Sequence, residues 1–320
     1  MQIKFAFLTM ALAVAAIAAV ADEKDLSWRQ RQLAPFKYEP SIVYKTVGDE
    51  KLDLCLFQPQ VRKYPQVPVM IFIHGGGWSG GEKYNILIPP HYGALKTLLE
   101  NGIACATVEY RLVKRGQRTA FECVSDCLDA TRFLIKNAGS YGLDPDRIGV
   151  WGASAGGHLA LMTVLGRRAD FPGDPDLRGI DPKFRCVVSY YPLTSFLQSE
   201  LHRDGLFAKP DSFKHLIGGP LAERLREAEA LSPAELLSRD CPPVLLLHGD
   251  QDKVLSLAYS AYFEKVAREK GVNVTLITVK NAAHGFSGND LQPSMAEINR
   301  LAADFIMKYL VPDTKGDEGK

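Results

Sequence analysis

A serine at the end of an apolar strand is the first candidate for chemistry. The stretch GASAG at residues 152–156 has the G-x-S-x-G spacing, with the apolar run RIGVWGA leading into it and the helix-forming run AGGHLALMTVLG leading out. A strand that turns at once into a helix forces its turn residue into a strained conformation, which glycines two positions away allow without clashes. The spacing alone also fits an ordinary tight turn, but this context predicts that Ser154 is a nucleophile.

A serine hydroxyl needs a general base, and in this strand-turn-helix context the chain order is serine, acid, histidine. His284, in the small-residue loop NAAHGFSGN, follows every plausible acid. The acid is expected after the strand PPVLLLHG, where HGDQDKV offers Asp250 and Asp252. Asp252 is preferred because it lies deeper in the loop, where it can accept from the imidazole and fix its tautomer. Asp250 is then expected to cap the loop in an Asx-type turn.

The other six histidines are expected to have other roles. We expect His158 to pack backward on the helix after the serine, His74 to orient a glycine loop, and His248 to precede the acid loop. The remaining three have no convergent partners in the sequence and are expected on the surface or in a cap: His91, His202 and His215.

The glycine run FIHGGGWSGG predicts a binding site for negative charge. Attack on an ester carbonyl puts charge on its oxygen, and glycines after a strand let backbone amides approach it. We assign Gly76, Gly77 and Ala155 as the oxyanion donors and expect Trp78 to wall the acyl or leaving-group pocket, with simple packing as its alternative role. A phosphate-binding loop is disfavoured because the run has neither G-x-x-x-x-G-K-[ST] spacing nor a helix-opening G-x-G-x-x-G.

The elements that must position these residues alternate along the chain. Two meander strands, SIVYKTV and KLDLCLFQP, precede alternating strands and helices that end with the helix PSMAEINRLAADFIMKYL. Several strands are near-continuous apolar runs, which predicts an α/β fold with a mostly parallel sheet covered by helices on both faces. A polar stretch at 194–240 interrupts the alternation and is predicted to be a small cap insertion. We find no internal repeat or linker, so residues 22–320 are predicted to form one domain.

The N-terminal sequence and the composition indicate where the protein is located and which classes of partner it has. Lys4, the apolar run FAFLTMALAVAAIAAV and the small residues before Asp22 predict a signal peptide at 1–21. A retained membrane anchor is the alternative, although the run is shorter than the ~20 residues of a span. The mature chain is therefore expected in the periplasm or outside the cell. A net charge of +1 without a basic cluster argues against nucleic acid and against stable membrane association after cleavage. The six cysteines match no metal or disulfide framework.

Five motifs together carry a resemblance to a known family: HGGGW, EYRL, DPDRIGVWGASAGGHLA, HGDQDKV and AAHGF. From about Tyr44 to Leu310, the chain resembles α/β-hydrolases of the esterase/lipase type with an HGGGW oxyanion motif. The likeness is greatest to the branch related to hormone-sensitive lipase and to bacterial polysaccharide-ester and feruloyl esterases. Two loops depart from the family's usual pattern. The chain reads KVLS where a Val-Pro pair often follows the acid loop, and VKRGQ where an Ala-Pro-Glu turn often follows YRL.

The resemblance implies a serine ester hydrolase that forms an acyl-enzyme and needs no metal or cofactor, with Ser154, Asp252 and His284 as its triad. Export and a small cap suggest short or medium acyl groups, such as acetyl or feruloyl esters of a polysaccharide or of a small molecule. Because the departing loops border the pocket, the family's substrates do not carry over. Two alternatives stay open: a peptidase or amidase of the same fold, and a binding protein on an inactive hydrolase scaffold.

Overall fold

The computed structural model describes residues 28–209 and 211–311. The predicted signal peptide at 1–21 lies outside the described residues. The chain divides into two units, Met1–Lys37 and Tyr38–Lys320, and the described part of the first contains a short helix at 28–33. No helix within the described ranges is both long enough and apolar enough to cross a bilayer. The second unit contains every candidate site residue.

Eight strands form one sheet in the order β1-β2-β4-β3-β5-β6-β7-β8. Strands β2 and β4 pair antiparallel, and every pair from β4 to β8 across the sheet is parallel. The predicted α/β class with a mostly parallel sheet is therefore confirmed. The strands are β1 (Lys37–Val47), β2 (Glu50–Gln58), β3 (Val67–Ile73), β4 (Ala104–Val108), β5 (Leu143–Ala153), β6 (Phe184–Tyr190), β7 (Val244–Gly249) and β8 (Val274–Val279).

Helices cover both faces of the sheet, which explains why β3 and β7 are buried at every position. Helices α1 and α8 pack together over one face, and α2 and α4 pack together over the other with α7. The helices are α1 (Tyr92–Glu100), α2 (Ala120–Lys136), α3 (Ala138–Tyr141), α4 (Ala155–Leu165), α5 (Lys214–Ile217), α6 (Leu225–Ala230), α7 (Ala258–Lys270) and α8 (Met295–Leu310).

The segment between β6 and β7, which holds the predicted cap, contains α5, α6 and several 3-10 turns rather than a further strand. It is held by a cluster of rings: the Phe213 ring lies 5.2 Å from that of Phe196, 5.7 Å from that of Phe207 and 5.1 Å from that of His202. The Phe207 ring also lies 6.3 Å from that of Trp78 in the glycine run. The insertion therefore sits beside the loop that follows β3.

Two backbone segments meet with no space for a side chain at the end of β5. A Cβ on Gly156 would lie 2.1 Å from the carbonyl oxygen of Ile73, and one on Gly152 would lie 2.1 Å from that of Gly156. Such separations are far shorter than any real Cβ contact. Gly156 is therefore required by close packing of the turn against β3, and Gly152 by close packing within the turn itself.

A Gly156→Ala variant tests this packing. Because its methyl group would strike backbone atoms, we expect the free energy of unfolding to fall by at least about 2 kcal/mol, or the protein not to fold. Gly139→Ala is the matched control, since no atom lies within 4 Å of its added Cβ. Alanine in that helix should leave stability unchanged or raise it by up to about 1 kcal/mol. Equal urea unfolding midpoints for the two variants would contradict the packing argument.

Candidate active site

Ser154 occupies a strained turn between β5 and α4. Its backbone angles are φ 57° and ψ −123°, outside the regions that most residues adopt. Its amide donates to the carbonyl oxygen of Tyr190 at 2.9 Å, and its own carbonyl accepts from the amide of His158 at 3.0 Å. The strand end and the first helical turn thus hold the serine at the carboxyl edge of the sheet, where ligands bind in open α/β folds.

Three side chains from separate loops form one hydrogen-bonded row at this edge. The Ser154 hydroxyl donates to Nε2 of His284 at 2.9 Å, and Nδ1 of His284 donates to Oδ2 of Asp252 at 2.7 Å. Asp252 follows β7 and His284 follows β8, so the row joins the ends of β5, β7 and β8. The structure therefore brings together the serine, the acid and the histidine selected from the sequence. This is the geometry of a nucleophile, a base and an orienting carboxylate.

Asp252 is held as a carboxylate. Burial opposes its ionisation, but hydrogen bonds from His248 and His284, the His284 charge and the amide of Leu255 outweigh it and hold the pKa below its ordinary value. Its Oδ1 accepts from the amides of Val254 and Leu255 at 2.8 and 2.9 Å. Its negative charge is thus available to stabilise an imidazolium.

The expected Asx-type role of Asp250 is wrong. Asp250 is exposed, and its side chain makes no hydrogen bond to the described residues. The Asx turn is made by Asp252 itself, since Oδ1 closes the turn while Oδ2 faces the histidine. One carboxylate can do both because it carries two oxygens with separate lone pairs.

His248 anchors the acid loop, a role that the sequence analysis missed. Its ring is fully buried; Nε2 lies 2.8 Å from the carbonyl oxygen of Leu255 and 3.5 Å from Oδ2 of Asp252. Both neighbours are acceptors, so Nε2 carries the proton and Nδ1 accepts from the Ser260 hydroxyl at 2.8 Å. Its position immediately before the acid loop, in HGDQD, is the sequence feature that could have indicated this anchoring role.

The glycine loop presents amides that have no partner of their own. Gly76 and Gly77 adopt φ values of 117° and 60°, which favour glycine, and their amides donate to no acceptor in residues 28–209 and 211–311. Ala155 opens α4, so its amide has no intrahelical acceptor. Gly76 and Gly77 line the same pocket as Ser154. The three predicted oxyanion donors thus lie at or next to the serine with unused N–H groups.

The EYRL motif holds the glycine loop in place. The Tyr110 hydroxyl donates to the carbonyl oxygen of His74 at 2.9 Å, and the two rings stack at 4.3 Å. His74 donates from Nδ1 to the Gly75 carbonyl at 2.8 Å, so it orients the loop as predicted. Arg111 forms a bidentate pair with the buried Asp126, which fixes the motif to α2.

Trp78 and His158 join the glycine loop to the helix that follows Ser154. The indole Nε1 donates to Nδ1 of His158 at 3.1 Å, and Nε2 of His158 donates to the carbonyl oxygen of Leu231 at 2.8 Å. Trp78 is only 1% exposed, and it lines the pocket from a buried position. His158 packs inward as predicted, and it also positions Trp78. No local sequence pattern indicates this pair, whose members are eighty positions apart.

Backbone strain is concentrated around the row. Four non-glycine residues with positive φ lie at the site: Trp78 at 60°, Ser154 at 57°, Tyr191 at 38° and Phe286 at 55°. The Tyr191 ring meets that of His284 edge-on at 4.7 Å and that of Phe286 at 4.9 Å. Such strain persists only where surrounding contacts hold it, and it is typical of functional sites. Tyr191 is therefore a further residue that positions the imidazole.

A pocket of about 390 Å³ opens in front of Ser154. Three of the residues that line it are exposed apolar side chains, Ile88, Leu206 and Val254. Val254 lies in the KVLS loop that departs from the family pattern, so this loop does border the pocket. The size and apolar wall suit a small acyl group. Within the described ranges, no cluster of three or more histidine, cysteine, aspartate or glutamate side chains is arranged to hold a metal ion.

Comparison with known proteins identifies the family. Residues 52–266, about two thirds of the chain, match BD-FAE. The chain belongs to the BD-FAE family. It is 26% identical over 271 residues to the esterase LipQ of Mycobacterium tuberculosis, covering 84% of this chain and 61% of the relative. It is 28% identical over 260 residues to a probable isoprenylcysteine alpha-carbonyl methylesterase of Oryza sativa, covering 76% and 57%.

Solved structures show the same fold. Esterase Est2 of the planctomycete Thermogutta terrifontis matches with a TM-score of 0.68 and 26% identity, covering 86% of this chain and 94% of that chain. A truncated carbohydrate esterase from gut microbiota matches with a TM-score of 0.72 at 20% identity, covering 86% and 97%. The predicted resemblance to α/β-hydrolase esterases is confirmed, and the predicted enzyme class, a serine ester hydrolase, agrees with these names. The chain spans about six tenths of the length of the curated relatives named above.

Asp252→Asn and Asp250→Asn form a matched pair. Asparagine at 252 keeps the shape but turns an N–H group or a neutral oxygen toward His284, so kcat for an activated ester should fall about 10³–10⁴-fold. Asp250 touches no group of the row, and its variant should stay within about twofold of wild type. Steady-state hydrolysis of 4-nitrophenyl acetate measures both. Similar losses in the two variants would contradict the assignment of Asp252.

Buried histidines predict a stability change in mild acid. His91 lies buried among aromatic rings rather than on the surface as expected, and burial lowers the pKa of His91 and that of His158 to about 4. Unfolded histidine titrates near ~6.5, so below that pH the unfolded chain binds more protons than the folded one. The free energy of unfolding should fall by up to about 1.4 kcal/mol per pH unit for each histidine as pH drops from about 6.5 to 4. Urea unfolding across this range measures it. In His158→Gln, the slope of the free energy of unfolding against pH should be smaller by the contribution of about one proton. An unchanged slope would contradict the prediction.

Proposed function

We propose that the chain is an exported serine carboxylic-ester hydrolase that works through a covalent acyl-enzyme. The observation that carries this proposal is the unbroken hydrogen-bonded row from Ser154 through His284 to Asp252, beside amides with no partner of their own. Export is proposed from the N-terminal sequence alone.

In the first half of the reaction, Oγ of Ser154 attacks the ester carbonyl carbon while Nε2 of His284 takes its proton. The carbonyl oxygen becomes an oxyanion and accepts hydrogen bonds from the amides of Gly76, Gly77 and Ala155. Each such donor typically contributes ~2.7–4 kcal/mol of transition-state stabilisation.

The second half regenerates the serine. The imidazolium of His284, stabilised by the Asp252 carboxylate, donates its proton to the leaving alkoxide, so an alcohol departs and an acyl-serine ester remains. Water then attacks this ester while His284 accepts a proton from it, and the carboxylic acid leaves as the serine recovers its proton.

The proposed acyl group is short. The pocket of about 390 Å³ is lined by buried or apolar side chains and leaves little room for a long chain. A structure of Thermogutta terrifontis Est2, 25% identical with a TM-score of 0.69, is described as propionate bound, which supports a short acyl group here. For the alcohol, we propose a carbohydrate carrier, on the basis of the resemblance to polysaccharide-ester esterases.

A panel of esters tests the proposal. We expect kcat/KM to be highest for 4-nitrophenyl acetate to butyrate, to drop about tenfold or more by decanoate, and to be far lower for the matched 4-nitroacetanilide. Ser154→Ala should lose at least about 10³-fold of the ester activity. Preference for the anilide, or activity that survives Ser154→Ala, would overturn the proposal.

An organophosphonate probe gives an independent readout. Est2 is described as phosphonylated by cyclosarin in a structure 25% identical to this chain. By analogy, a fluorophosphonate should add one covalent phosphonyl group at Ser154, visible in the intact mass and absent in Ser154→Ala. A wild-type protein left unmodified would favour the inactive-scaffold alternative.

A further inference from the structure

A second and larger cavity, of about 750 Å³, lies between the loop after the EYRL motif and the insertion before β7. Its lining is strongly basic. Two arginines and two lysines line it, together with His215 and, among the described residues, a single acidic side chain, Asp211. The four cations are Arg115, Arg118, Lys209 and Lys214. We call this cavity the basic groove.

Most of this positive charge has no acidic partner within residues 28–209 and 211–311. Arg118 pairs with Glu50 at 2.9 Å, whereas Arg115, Lys209 and Lys214 form no ion pair with the described residues. One carboxylate oxygen of Asp211, Oδ1, accepts a hydrogen bond from the amide of Leu221 at 3.4 Å. Cations gathered in a concave site raise the local concentration of anions. The basic groove therefore has the electrostatics of an anion-binding site.

The electrostatic effect of these cations reaches the other residues of the groove. Burial lowers the pKa of His215, and the charge of Arg115 lowers it further. The charge of Arg115 is therefore felt inside the groove.

The basic groove adjoins the candidate active site. The Trp78 carbonyl accepts from the amide of Val113 at 2.8 Å, only two residues before Arg115. On the insertion side, ring contacts of 6.3 and 5.7 Å lead from Trp78 through Phe207 to Phe213, the neighbour of Lys214. Backbone and ring contacts through Trp78 thus connect the lining of the pocket at Ser154 to the elements that line the basic groove.

We propose that the basic groove binds a carboxylate on the alcohol side of the ester, so that the preferred substrate is an acylated acidic saccharide such as an esterified uronic-acid oligomer. This inference rests on the proposed function and narrows its substrate class. The acyl group belongs in the small apolar pocket, which leaves the polar groove for the carrier. A guanidinium fork matches a planar carboxylate with two parallel hydrogen bonds, and Arg115 provides such a fork, which pairs with no acidic side chain in the described part of the chain.

The groove also gives a role to a sequence departure. The segment VKRGQ stands where the family often has an Ala-Pro-Glu turn, and it supplies Arg115. An acidic side chain at this turn would cancel part of the charge, whereas this chain adds to it. The departure therefore changes the charge of the surface next to the pocket and leaves the catalytic row untouched.

The test compares three acetyl esters: an acetylated oligogalacturonate, an acetylated xylo-oligosaccharide and 4-nitrophenyl acetate. The test variant is Arg115→Gln/Lys214→Gln, and Lys96→Gln, which removes one positive charge from an exposed site on α1, is its surface control. For the double variant, kcat/KM toward the acidic ester should fall about 10–100-fold through KM, as expected for the loss of one or two charge-assisted hydrogen bonds. Its activity on the two neutral esters, and the activity of Lys96→Gln on all three esters, should stay within about twofold of wild type.

Each outcome separates this inference from the proposed function. If wild type hydrolyses the neutral esters through Ser154 but shows no preference for the acidic one, the inference fails and the proposed function stands. Equal losses on all three substrates in a double variant whose urea unfolding midpoint matches that of wild type would also overturn it, since they show that the groove does not distinguish the acidic carrier. Binding of duplex DNA or of phosphatidylglycerol vesicles that the double variant abolishes, without any preference for the acidic ester, would assign the groove to another partner.

Discussion

Contact between two backbones without intervening side chains is the constraint on which the rest of the site depends. A Cβ on Gly75 would lie 2.7 Å from the carbonyl oxygen of Ala153, and one on Gly156 would lie 2.1 Å from that of Ile73. The glycine loop and the serine turn are therefore locked to each other at van der Waals distance. Because oxyanion donors act only when they are fixed in advance, this contact sets their position relative to the Ser154 oxygen.

Buried histidines hold the loops that surround this contact. His74 orients the glycine loop, His158 ties Trp78 to the helix after the serine, and His248 anchors the acid loop. The rings of His158 and His248 each use hydrogen bonds to hold two chain segments together, whereas that of His74 bonds the carbonyl of the next residue, Gly75. Only His284 is placed to exchange a proton with the serine. Strain at Ser154 and Tyr191 is retained because these contacts leave the chain no relaxed alternative.

The sequence predicted the parts of this arrangement that local pattern determines. Apolar strands, glycine spacing and chain order were sufficient to select Ser154, Asp252 and His284 and to place most strand and helix boundaries within a few residues. Partnerships between distant segments were not predictable, because no local pattern encodes which buried donor meets which acceptor. The Trp78–His158 bond is one example. The different roles of Asp250 and Asp252 are another example. Both are aspartates in one short loop, and only the folded loop determines which carboxylate contacts His284.

The insertion was the hardest region to anticipate, because its short helices and 3-10 turns have no sustained periodicity. Its basic groove forms only when residues near 115 and residues near 214 come together. A basic residue in an exposed loop is common in protein sequences. Whether it contributes to a binding site depends here on neighbours about a hundred positions away. The proposed carrier site lies at such a junction, whereas the residues of the catalytic row stand in local sequence motifs.

The most direct test of the account is a crystal structure of the protein after reaction with a phosphonate at Ser154. The account predicts that the phosphonyl oxygen lies about 2.7–3.1 Å from the amide nitrogens of Gly76, Gly77 and Ala155, with His284 still bonded to Asp252. A phosphonyl oxygen that points to solvent, or to a different set of donors, would show that the glycine loop is not the oxyanion site.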